Sequence, residues 1–476
     1  MRRIDYFYHD ERTVPLTIPS ITEDDTNTYT VIVGKNGVGK SRLLANMVNE
    51  FTMIERYLPN ILSIDREELQ HEPRVIAVST SPFDKFKLPP RGKSKEQYTK
   101  TNYRYVGMRS SGPYGSSSIS LISSATHGIL ERFLKHENYD RLCEVFETLG
   151  FSTEIQLIFK PSFKSTRYLS SDISSKIIPN SLILKSDTTW KNIYHPLELE
   201  WINELGIELS PKILDNIVDL NEEDKWKITR SINNLKNVLR YDSAISISIN
   251  FSHGDVFSLN KELYQDKELL ESLNILLKLN LIHLMDMKLH KHEFGSMSLR
   301  RASSGEQCML VMILGIAGNI NDNSLVFIDE PEISLHPRWQ EDFMSLLIKT
   351  FSKYRGCQFF IATHSPQIVS KLKSENCFVT SLSSNEIFSA SFFYNRSSDF
   401  QLAELFDAPG SRNEYVSRLV FGLLSRIKKQ KAVGDEDYEL LNKLLSMLDL
   451  IESNDPVHDL ILSVKEIVDH YASTSN

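Results

Sequence analysis

The sequence predicts an α/β protein with an inserted and mainly helical arm and a helical C-terminal module. Three observations support this fold class. Apolar runs typical of strands occupy 28–33, 325–328 and 358–362, and each ends in glycine or polar residues. Helical periodicity dominates a long central region, and it returns after about residue 398. Strands and helices therefore alternate as they do in layered α/β proteins.

The composition indicates a globular chain of several domains. It has 476 residues, of which 41% are hydrophobic, enough to form a large core. The formal charge of −8 excludes a general basic coat for nucleic acid but leaves room for a local basic groove. The four cysteines are widely spaced, no apolar leader follows the first residues, and no run of about 18 apolar residues occurs. We therefore expect a cytoplasmic protein without membrane contact.

The strongest motif follows the strand at 28–33. Residues 34–41 read GKNGVGKS, a full match to G-x-x-x-x-G-K-[ST], and the helical run RLLANMVNEF comes next. In a P-loop, backbone N–H groups surround the phosphates, the lysine contacts the β- and γ-phosphates, and the hydroxyl binds Mg²⁺. We therefore predict an ATP-Mg²⁺ site with Lys40 as a catalytic residue and Ser41 as a metal ligand. The predicted ATP-binding residues are Lys35, Asn36, Gly37, Val38, Gly39, Lys40, Ser41 and Arg42.

Two acids follow the apolar strand at 325–328. Asp329 is placed to hold Mg²⁺ through a water molecule, and Glu330 is placed to orient or deprotonate the attacking water. An apolar strand that ends in acids is common, so the interpretation becomes specific only in combination with the P-loop. With it, these residues form a Walker B motif in which Glu330 is predicted to be catalytic.

A serine-rich helix start and a histidine complete the set. Residues 303–307 read SSGEQ and open an apolar helix, where a plain capping box is the simpler alternative. As a functional motif, its hydroxyl and free N–H groups would clamp a second phosphate. His364 follows the strand at 358–362 and is placed to hydrogen-bond a γ-phosphate as a catalytic residue. The predicted signature residues are Ser303, Ser304, Gly305, Glu306 and Gln307.

The order and spacing of these motifs resemble the ABC-like ATPases of the SMC, RecF and OLD branch. In that superfamily the signature of one subunit closes over the P-loop nucleotide of another. The resemblance therefore implies a P-loop NTPase of ABC-ATPase type, with a mixed sheet and an antiparallel β subdomain. It also implies a head-to-tail dimer in which residues 303–307 act in trans. Glu306 stands where the family has its second signature glycine, a departure that bears on the rate of turnover.

Two features of that family lack a clear match. No glutamine corresponds to the Q-loop, and Asp84 or Ser81 in the loop STSPFDKF is the candidate substitute. The aromatic residue that stacks on adenine is also unassigned. Tyr6, Tyr8 and Tyr29 are candidates, with ordinary strand positions as the alternative.

The distance between the motifs predicts the domain organisation. Ser41 and Ser304 are 263 positions apart, so a large insertion separates the two halves of the ATPase head. The insertion has no sustained heptads, which excludes a long coiled coil. The predicted parts are the N-terminal half of the head at 1–111, the inserted helical or lid region at 112–285, the C-terminal half of the head at 286–397, and the helical C-terminal module at 398–476.

The amino-acid sequences of the motifs restrict the resemblance to a smaller group of ABC-like ATPases. SSGEQ, FIDEPEISLHP and ATHSP are similar to the AAA15/AAA21-type prokaryotic ATPases, and the arrangement is similar to the PtuA family of Septu-type and retron anti-phage systems. This resemblance implies an HNH-type nuclease partner, oligomers of head-to-tail dimers, and DNA contact through the partner. No Toprim signature follows His364, so we expect no nuclease within the chain. Two alternatives stay open: a RecF- or SMC-like repair ATPase that binds DNA directly, and a nucleotide sensor with slow turnover.

Other clusters have plainer explanations. An apolar stripe in the tail is a candidate docking surface, or it packs within its own module: Leu440, Leu441, Leu444, Leu448 and Ile451. The basic run at 426–431 is typical of a helix C-terminus, with DNA contact as the alternative. His290 and His292 alternate along a strand, which indicates a solvent-facing edge rather than a metal site.

Overall fold

The computed structural model describes residues 3–22, 25–57, 72–88, 98–109, 118–135, 139–165, 207–209, 217, 220, 222–239, 244–258, 267–291, 295–372, 375–430 and 433–474. The chain divides into two compact units. The first comprises Met1–Asn49, Phe83–Lys85 and Asp322–Asn476, and the second comprises Glu50–Pro82 and Phe86–Asn321. The four-part division predicted from the sequence stays a prediction.

Strands and helices alternate along the described residues, as expected. The strands are β1 (Tyr6–His9), β2 (Arg12–Pro15), β3 (Thr28–Val33), β4 (Ile54–Tyr57), β5 (Val75–Ser79), β6 (Tyr98–Thr101), β7 (Tyr103–Gly107), β8 (Phe151–Pro161), β9 (Lys164–Ser165), β10 (Ile207–Glu208), β11 (Ile245–Asn250), β12 (Asp255–Ser258), β13 (Ile282–Lys291), β14 (Gly295–Ser298), β15 (Leu325–Asp329), β16 (Gln358–Ala362), β17 (Cys377–Ser381) and β18 (Glu386–Ser389). The α-helices are α1 (Lys40–Phe51), α2 (Ser118–Leu134), α3 (Tyr139–Thr148), α4 (Glu222–Leu239), α5 (Lys267–Lys278), α6 (Ser304–Asn319), α7 (Pro337–Thr350), α8 (Pro366–Ser370), α9 (Ser398–Glu404), α10 (Glu414–Gln430), α11 (Asp435–Ser446) and α12 (Pro456–Thr474).

A mixed sheet forms the core of the first unit. Its strands lie in the order β18-β17-β3-β16-β15, and the pairs β17–β3, β3–β16 and β16–β15 are parallel. The edge strand β18 runs antiparallel to β17. Every residue of β3, β15, β16 and β17 is buried, as expected for parallel strands that are covered on both faces. Aromatic stacking crosses the sheet, with 4.7 Å between the ring centroids of Tyr29 and Phe359.

The tail of the first unit folds into a helical module, as the sequence predicts. Helices α10, α11 and α12 share a buried cluster that includes Val420, Leu444 and Val464. The side chain of Asp455 accepts a hydrogen bond from the Val457 N–H at 2.8 Å, as an N-cap residue does, and Pro456 opens α12.

The apolar stripe of the tail packs within this module. Leu441, Leu444 and Ile451 are buried in its core, and Leu440 and Leu448 pack against it while partly exposed. Of the two explanations offered by the sequence, the structure supports internal packing.

The second unit contains the predicted antiparallel β subdomain. Strands in the order β12-β11-β8-β13-β14 form a five-stranded sheet whose pairings are all antiparallel. The hairpin of β13 and β14 begins its second strand at Gly295, where φ is +73°. Helices α2, α3, α4 and α5 belong to the same unit, and strands β5 and β7 form a parallel pair.

The cysteines and the hydropathy of the helices bear on the expected environment of the chain. The four cysteines all lie among the described residues, and none of them forms a disulfide. Among those residues, no helix is long and apolar enough to cross a membrane.

The core of the helical module provides a test of its packing. Leu444 is fully buried, so Leu444→Ala should remove apolar contacts, leave a cavity and destabilise the module by about 2–5 kcal/mol. Leu462 is 40% exposed, and Leu462→Ala is the matched control with an expected cost of less than about 1 kcal/mol. Urea unfolding followed by circular dichroism measures both. Equal midpoints for the two variants would contradict the packing described above.

Candidate nucleotide-binding site

The predicted P-loop connects β3 to α1. Gly37 and Gly39 have φ angles of +80° and +103°, which residues with a side chain rarely adopt. The Val38 N–H donates a hydrogen bond to the Lys35 carbonyl at 3.3 Å, which closes the turn. Lys35, Asn36 and Gly37 are exposed. The loop can therefore present its backbone N–H groups to a phosphate at the N-terminus of α1.

Lys40 is buried at the start of α1, with 4% of its surface exposed. Its ammonium donates to the carbonyls of Gly34 at 2.9 Å and Lys35 at 3.3 Å. Burial lowers the pKa of Lys40 to about 8, and nearby carboxylates, led by Glu330, oppose this shift. The ammonium is thus held inside the P-loop, where the γ-phosphate of a nucleotide is expected.

Asp329 ends β15 and is nearly completely buried. Burial raises the pKa of Asp329 to about 7, the Ser41 hydroxyl lowers it by a hydrogen bond, and the charges of Glu330, Asp84 and Glu332 raise it. A divalent cation beside this carboxylate would favour its ionised form, and oxygen atoms are the ligands that Mg²⁺ takes. The predicted metal ligands Ser41 and Asp329 therefore lie together, and their chemistry suits Mg²⁺.

Glu330 follows Asp329 in a left-handed conformation with φ of +49°. Its N–H donates to the Ala362 carbonyl at 2.9 Å, so it stays attached to the neighbouring strand β16. The carboxylate Oε1 lies 3.7 Å from Nε2 of His364. The positive φ turns the chain at the edge of the sheet and leaves the carboxylate beside the histidine.

His364 lies between the P-loop and the Walker B acids. Its Nδ1 is 3.2 Å from the Lys40 ammonium. Because an ammonium only donates, Nδ1 must accept, which places the ring proton on Nε2, facing Glu330. Burial lowers the pKa of His364 to about 4, and the charge of Lys40 lowers it as well. The imidazole is therefore neutral near pH 7, with an N–H donor beside the site.

Asp84 belongs to the same unit and is 5% exposed. Its charge is one of those that raise the pKa of Asp329. The structure thus brings the candidate Q-loop substitute close enough to act electrostatically on the Asp329 carboxylate, a predicted metal ligand. Its role stays a prediction.

The signature residues belong to the second unit and open α6. Ser303 is the N-cap, and its hydroxyl accepts from the Glu306 N–H at 3.3 Å, as the capping-box pattern predicts. Ser303 and Ser304 are exposed, while Gly305 and Gln307 are buried. The Gln307 amide donates to the Leu299 carbonyl at 2.7 Å, so this side chain supports the loop from within.

Glu306, at the position that departs from the ABC pattern, is paired with a cation. Its Oε1 lies 3.2 Å from the Lys291 ammonium on β13. The pair reduces the negative charge that Glu306 brings to the N-terminus of α6.

The tyrosine candidates for adenine contact separate into two groups. Tyr29 is buried in the sheet and stacks on Phe359, so it is wrong as an adenine-binding residue. Tyr6 and Tyr8 are 59% and 69% exposed on β1, and they stay candidates. The next turn contains Asp10, whose carboxylate pairs with the exposed guanidinium of Arg42 and whose pKa is lowered mainly by that hydrogen bond.

Two residues of this region escaped the sequence analysis. Asp10 has no motif to mark it, because its pairing with Arg42 joins a hairpin to a helix. Glu332 lies two residues after Glu330, and its carboxylate accepts from the His364 N–H at 2.5 Å. The repeated acid in DEPE was the available signal for Glu332.

Lys40 provides the direct test of nucleotide binding. Lys40→Ala removes the charge-assisted hydrogen bonds to phosphate, worth about 1.5–3 kcal/mol, so ATP affinity should fall at least about 10- to 100-fold. Titration of a fluorescent ATP analogue measures it. Lys371→Ala changes an exposed lysine of the same unit and should leave the affinity unchanged. Equal affinities for the two variants would refute the assignment of the P-loop.

Comparisons with known proteins agree with this geometry. Residues 160–370 match the family described as "AAA domain, putative AbiEii toxin, Type IV TA system". This stretch contains the signature, the Walker B acids and His364, and it lies C-terminal to the P-loop. The chain is 25% identical over 403 residues to "Retron Ec83 probable ATPase" of Escherichia coli, covering 73% of this chain and 66% of that protein.

A shorter similarity points the same way. The chain is 29% identical over 102 residues to "Retron Vc95 probable ATPase" of Vibrio cholerae serotype O1 biovar El Tor, covering 19% of each. The chain thus spans just under two thirds of the length of the first relative and a fifth of the second. The P-loop and the sheet that positions it show a P-loop NTPase fold, residues 160–370 match an AAA domain family, and the chain is similar to bacterial proteins named as probable ATPases of retrons.

Proposed function

We propose that this chain is an ATPase that binds and hydrolyses ATP with Mg²⁺ as a head-to-tail dimer, and that it regulates an associated HNH-type nuclease in anti-phage defence. One observation carries the enzymatic part. Lys40, Glu330 and His364 meet at one edge of the sheet, with 3.2 Å from the Lys40 ammonium to His364 Nδ1 and 3.7 Å from His364 Nε2 to Glu330 Oε1. A cation, a carboxylate and a neutral imidazole in this arrangement suit phosphoryl transfer to water.

Each residue of the site has a separate role in ATP hydrolysis. Lys40 neutralises charge on the β- and γ-phosphates, and Glu330 accepts a proton from the attacking water. His364 donates a hydrogen bond from its Nε2–H to a γ-phosphate oxygen, because the neutral ring keeps its proton on Nε2. Ser41 and Asp329 would hold Mg²⁺, which supplies further neutralisation of the phosphate charge when bound.

The dimer is supported by the exposed signature. Ser303 and Ser304 lie at the exposed N-terminus of a 16-residue helix, α6, which can clamp a phosphate of a second subunit. The Lys291–Glu306 ion pair lowers the repulsion between that phosphate and the Glu306 carboxylate. The resemblance to ABC-like ATPases supplies the head-to-tail arrangement.

The proposed regulatory role is based on the similarity of this chain to other bacterial proteins. The two relatives are named as probable ATPases of retrons, and the motifs resemble those of the PtuA family of Septu-type and retron systems. In that family the ATPase controls an HNH nuclease. DNA would then be contacted through the partner.

Trapping the ATP-bound state tests hydrolysis and dimerisation together. Glu330→Gln removes the general base and keeps the shape of the side chain, so we expect turnover to fall by about 100-fold or more, within the range for general-base catalysis. With ATP and Mg²⁺ the variant should accumulate as a dimer, which light scattering after gel filtration measures. Glu341→Gln is the control, because Glu341 is an exposed carboxylate on α7 and should leave turnover unchanged.

Two outcomes would contradict this proposal. A Glu330→Gln chain that stays monomeric with ATP would rule out the nucleotide-linked dimer. A wild-type chain that is already as slow as Glu330→Gln would replace the hydrolase with the alternative of a slow nucleotide sensor.

Co-expression tests the nuclease partner. If an HNH gene lies next to the gene for this chain, the two proteins should purify together, and their DNA cleavage should change when Glu330→Gln is introduced. Separate elution of the two proteins would contradict the partnership. Tight ATP-dependent DNA binding by the isolated chain, with affinity that falls steeply in salt, would instead favour the RecF-like alternative.

A further inference from the structure

The loop that carries His364 is attached to the turn that follows the Walker B acids. The His364 N–H donates to Glu332 Oε1 at 2.5 Å. This contact lies within the first unit and joins residues that are more than 30 positions apart. The Glu332 carboxylate therefore holds the main chain of the histidine loop at His364.

A second attachment comes from α7. The Gln340 amide donates to the Leu335 carbonyl at 2.9 Å, and its Oε1 accepts from the Ser365 hydroxyl at 2.6 Å. Gln340 thus joins the end of the Walker B turn to the residue that follows His364. We name the pair of contacts made by Glu332 and Gln340 the histidine bracket.

The bracket holds the His364 main chain and the Ser365 hydroxyl, and the imidazole makes its own contacts. Glu332 contacts the His364 backbone, whereas the ring reaches Lys40 and Glu330. A buried carboxylate costs free energy unless it is hydrogen-bonded, and burial raises the pKa of Glu332. Burial of the Glu332 carboxylate therefore destabilises the fold, and its hydrogen bond with the His364 N–H offsets this effect.

We propose that Glu332 and Gln340 are positioning residues that fix the 363–365 loop against the Walker B turn and so set the His364 imidazole at the γ-phosphate. This role rests on the proposed ATP hydrolysis. A ring that must lie within hydrogen-bond reach of a transferring phosphate tolerates little displacement, and a shift of about 1 Å can cost about 100-fold in rate. The bracket restrains the loop on both sides of His364.

Steady-state kinetics on the full chain separates positioning from direct catalysis. Glu332→Ala should lower kcat about 10- to 100-fold and change KM for ATP by less than about threefold. Glu332→Gln keeps an oxygen that can accept from the His364 N–H, and it should retain at least about a third of kcat. Gln340→Ala should give a smaller loss than Glu332→Ala. Glu341→Ala, an exposed carboxylate next to Gln340, should match wild type.

A double-mutant cycle tests whether Glu332 acts through His364. In a His364→Ala background, Glu332→Ala should lower kcat by less than about twofold further, because the group that it positions is already absent. Additive losses would overturn the proposal and would assign Glu332 a direct role at the metal or the water. An unchanged kcat in Glu332→Ala would overturn it as well.

Amide hydrogen exchange tests the bracket without turnover. In the nucleotide-free chain, Glu332→Ala should speed exchange of a peptide that covers 363–366 by about fivefold or more, and leave a peptide that covers 34–42 unchanged. Unchanged exchange at 363–366 would overturn the proposal, and faster exchange in both peptides would show general loosening and overturn it too. If wild type shows no ATP turnover, the proposed function fails, while this measurement still decides whether the bracket holds the loop.

Discussion

The parallel pairing of β3, β16 and β15 is the constraint on which the site depends. Parallel strands have their carboxyl ends at the same edge, so the loops that follow them converge there. β16 lies between the other two strands, and Asp329 is in register with Ala362. The loop after β16 therefore places His364 between the P-loop and the Walker B acids, although these motifs are hundreds of residues apart along the chain.

Burial and the neighbouring charges together set the pKa values of the groups that meet at this edge. Lys40 is buried near several carboxylates and is held by two carbonyls and the His364 ring. A bound triphosphate would replace part of this network, since phosphate oxygens are stronger acceptors of an ammonium than neutral carbonyls. The raised pKa of Asp329 and the lowered pKa of His364 both follow first from burial, which is the common cost of assembling this site out of water.

Some residues of the site could be predicted from the sequence, and others could not. The P-loop, Asp329 and His364 lie in contiguous motifs, where the residue types needed for phosphate and Mg²⁺ follow one another at fixed spacing. Glu332 and Asp10 act through partners more than 30 positions away, so the repeated acid in DEPE is the one local signal for Glu332, and Asp10 has no motif. Tyr29 shows the reverse error, because a strand tyrosine near the P-loop is equally suited to adenine contact or to the core, and the sheet buries it.

The sequence by itself determined the alternation of strands and helices, the P-loop, the acids after β15 and the helical tail, since periodicity and short motifs depend on neighbouring residues. It also predicted the cap at Ser303 and the antiparallel subdomain. Only the tertiary structure decided the strand order and the burial of the tail stripe. It also decided the lowered pKa values of Lys40 and His364, and the attachment of the histidine loop to Glu332 and Gln340. These properties arise from contacts between segments far apart in the chain, whose energies a local pattern does not contain.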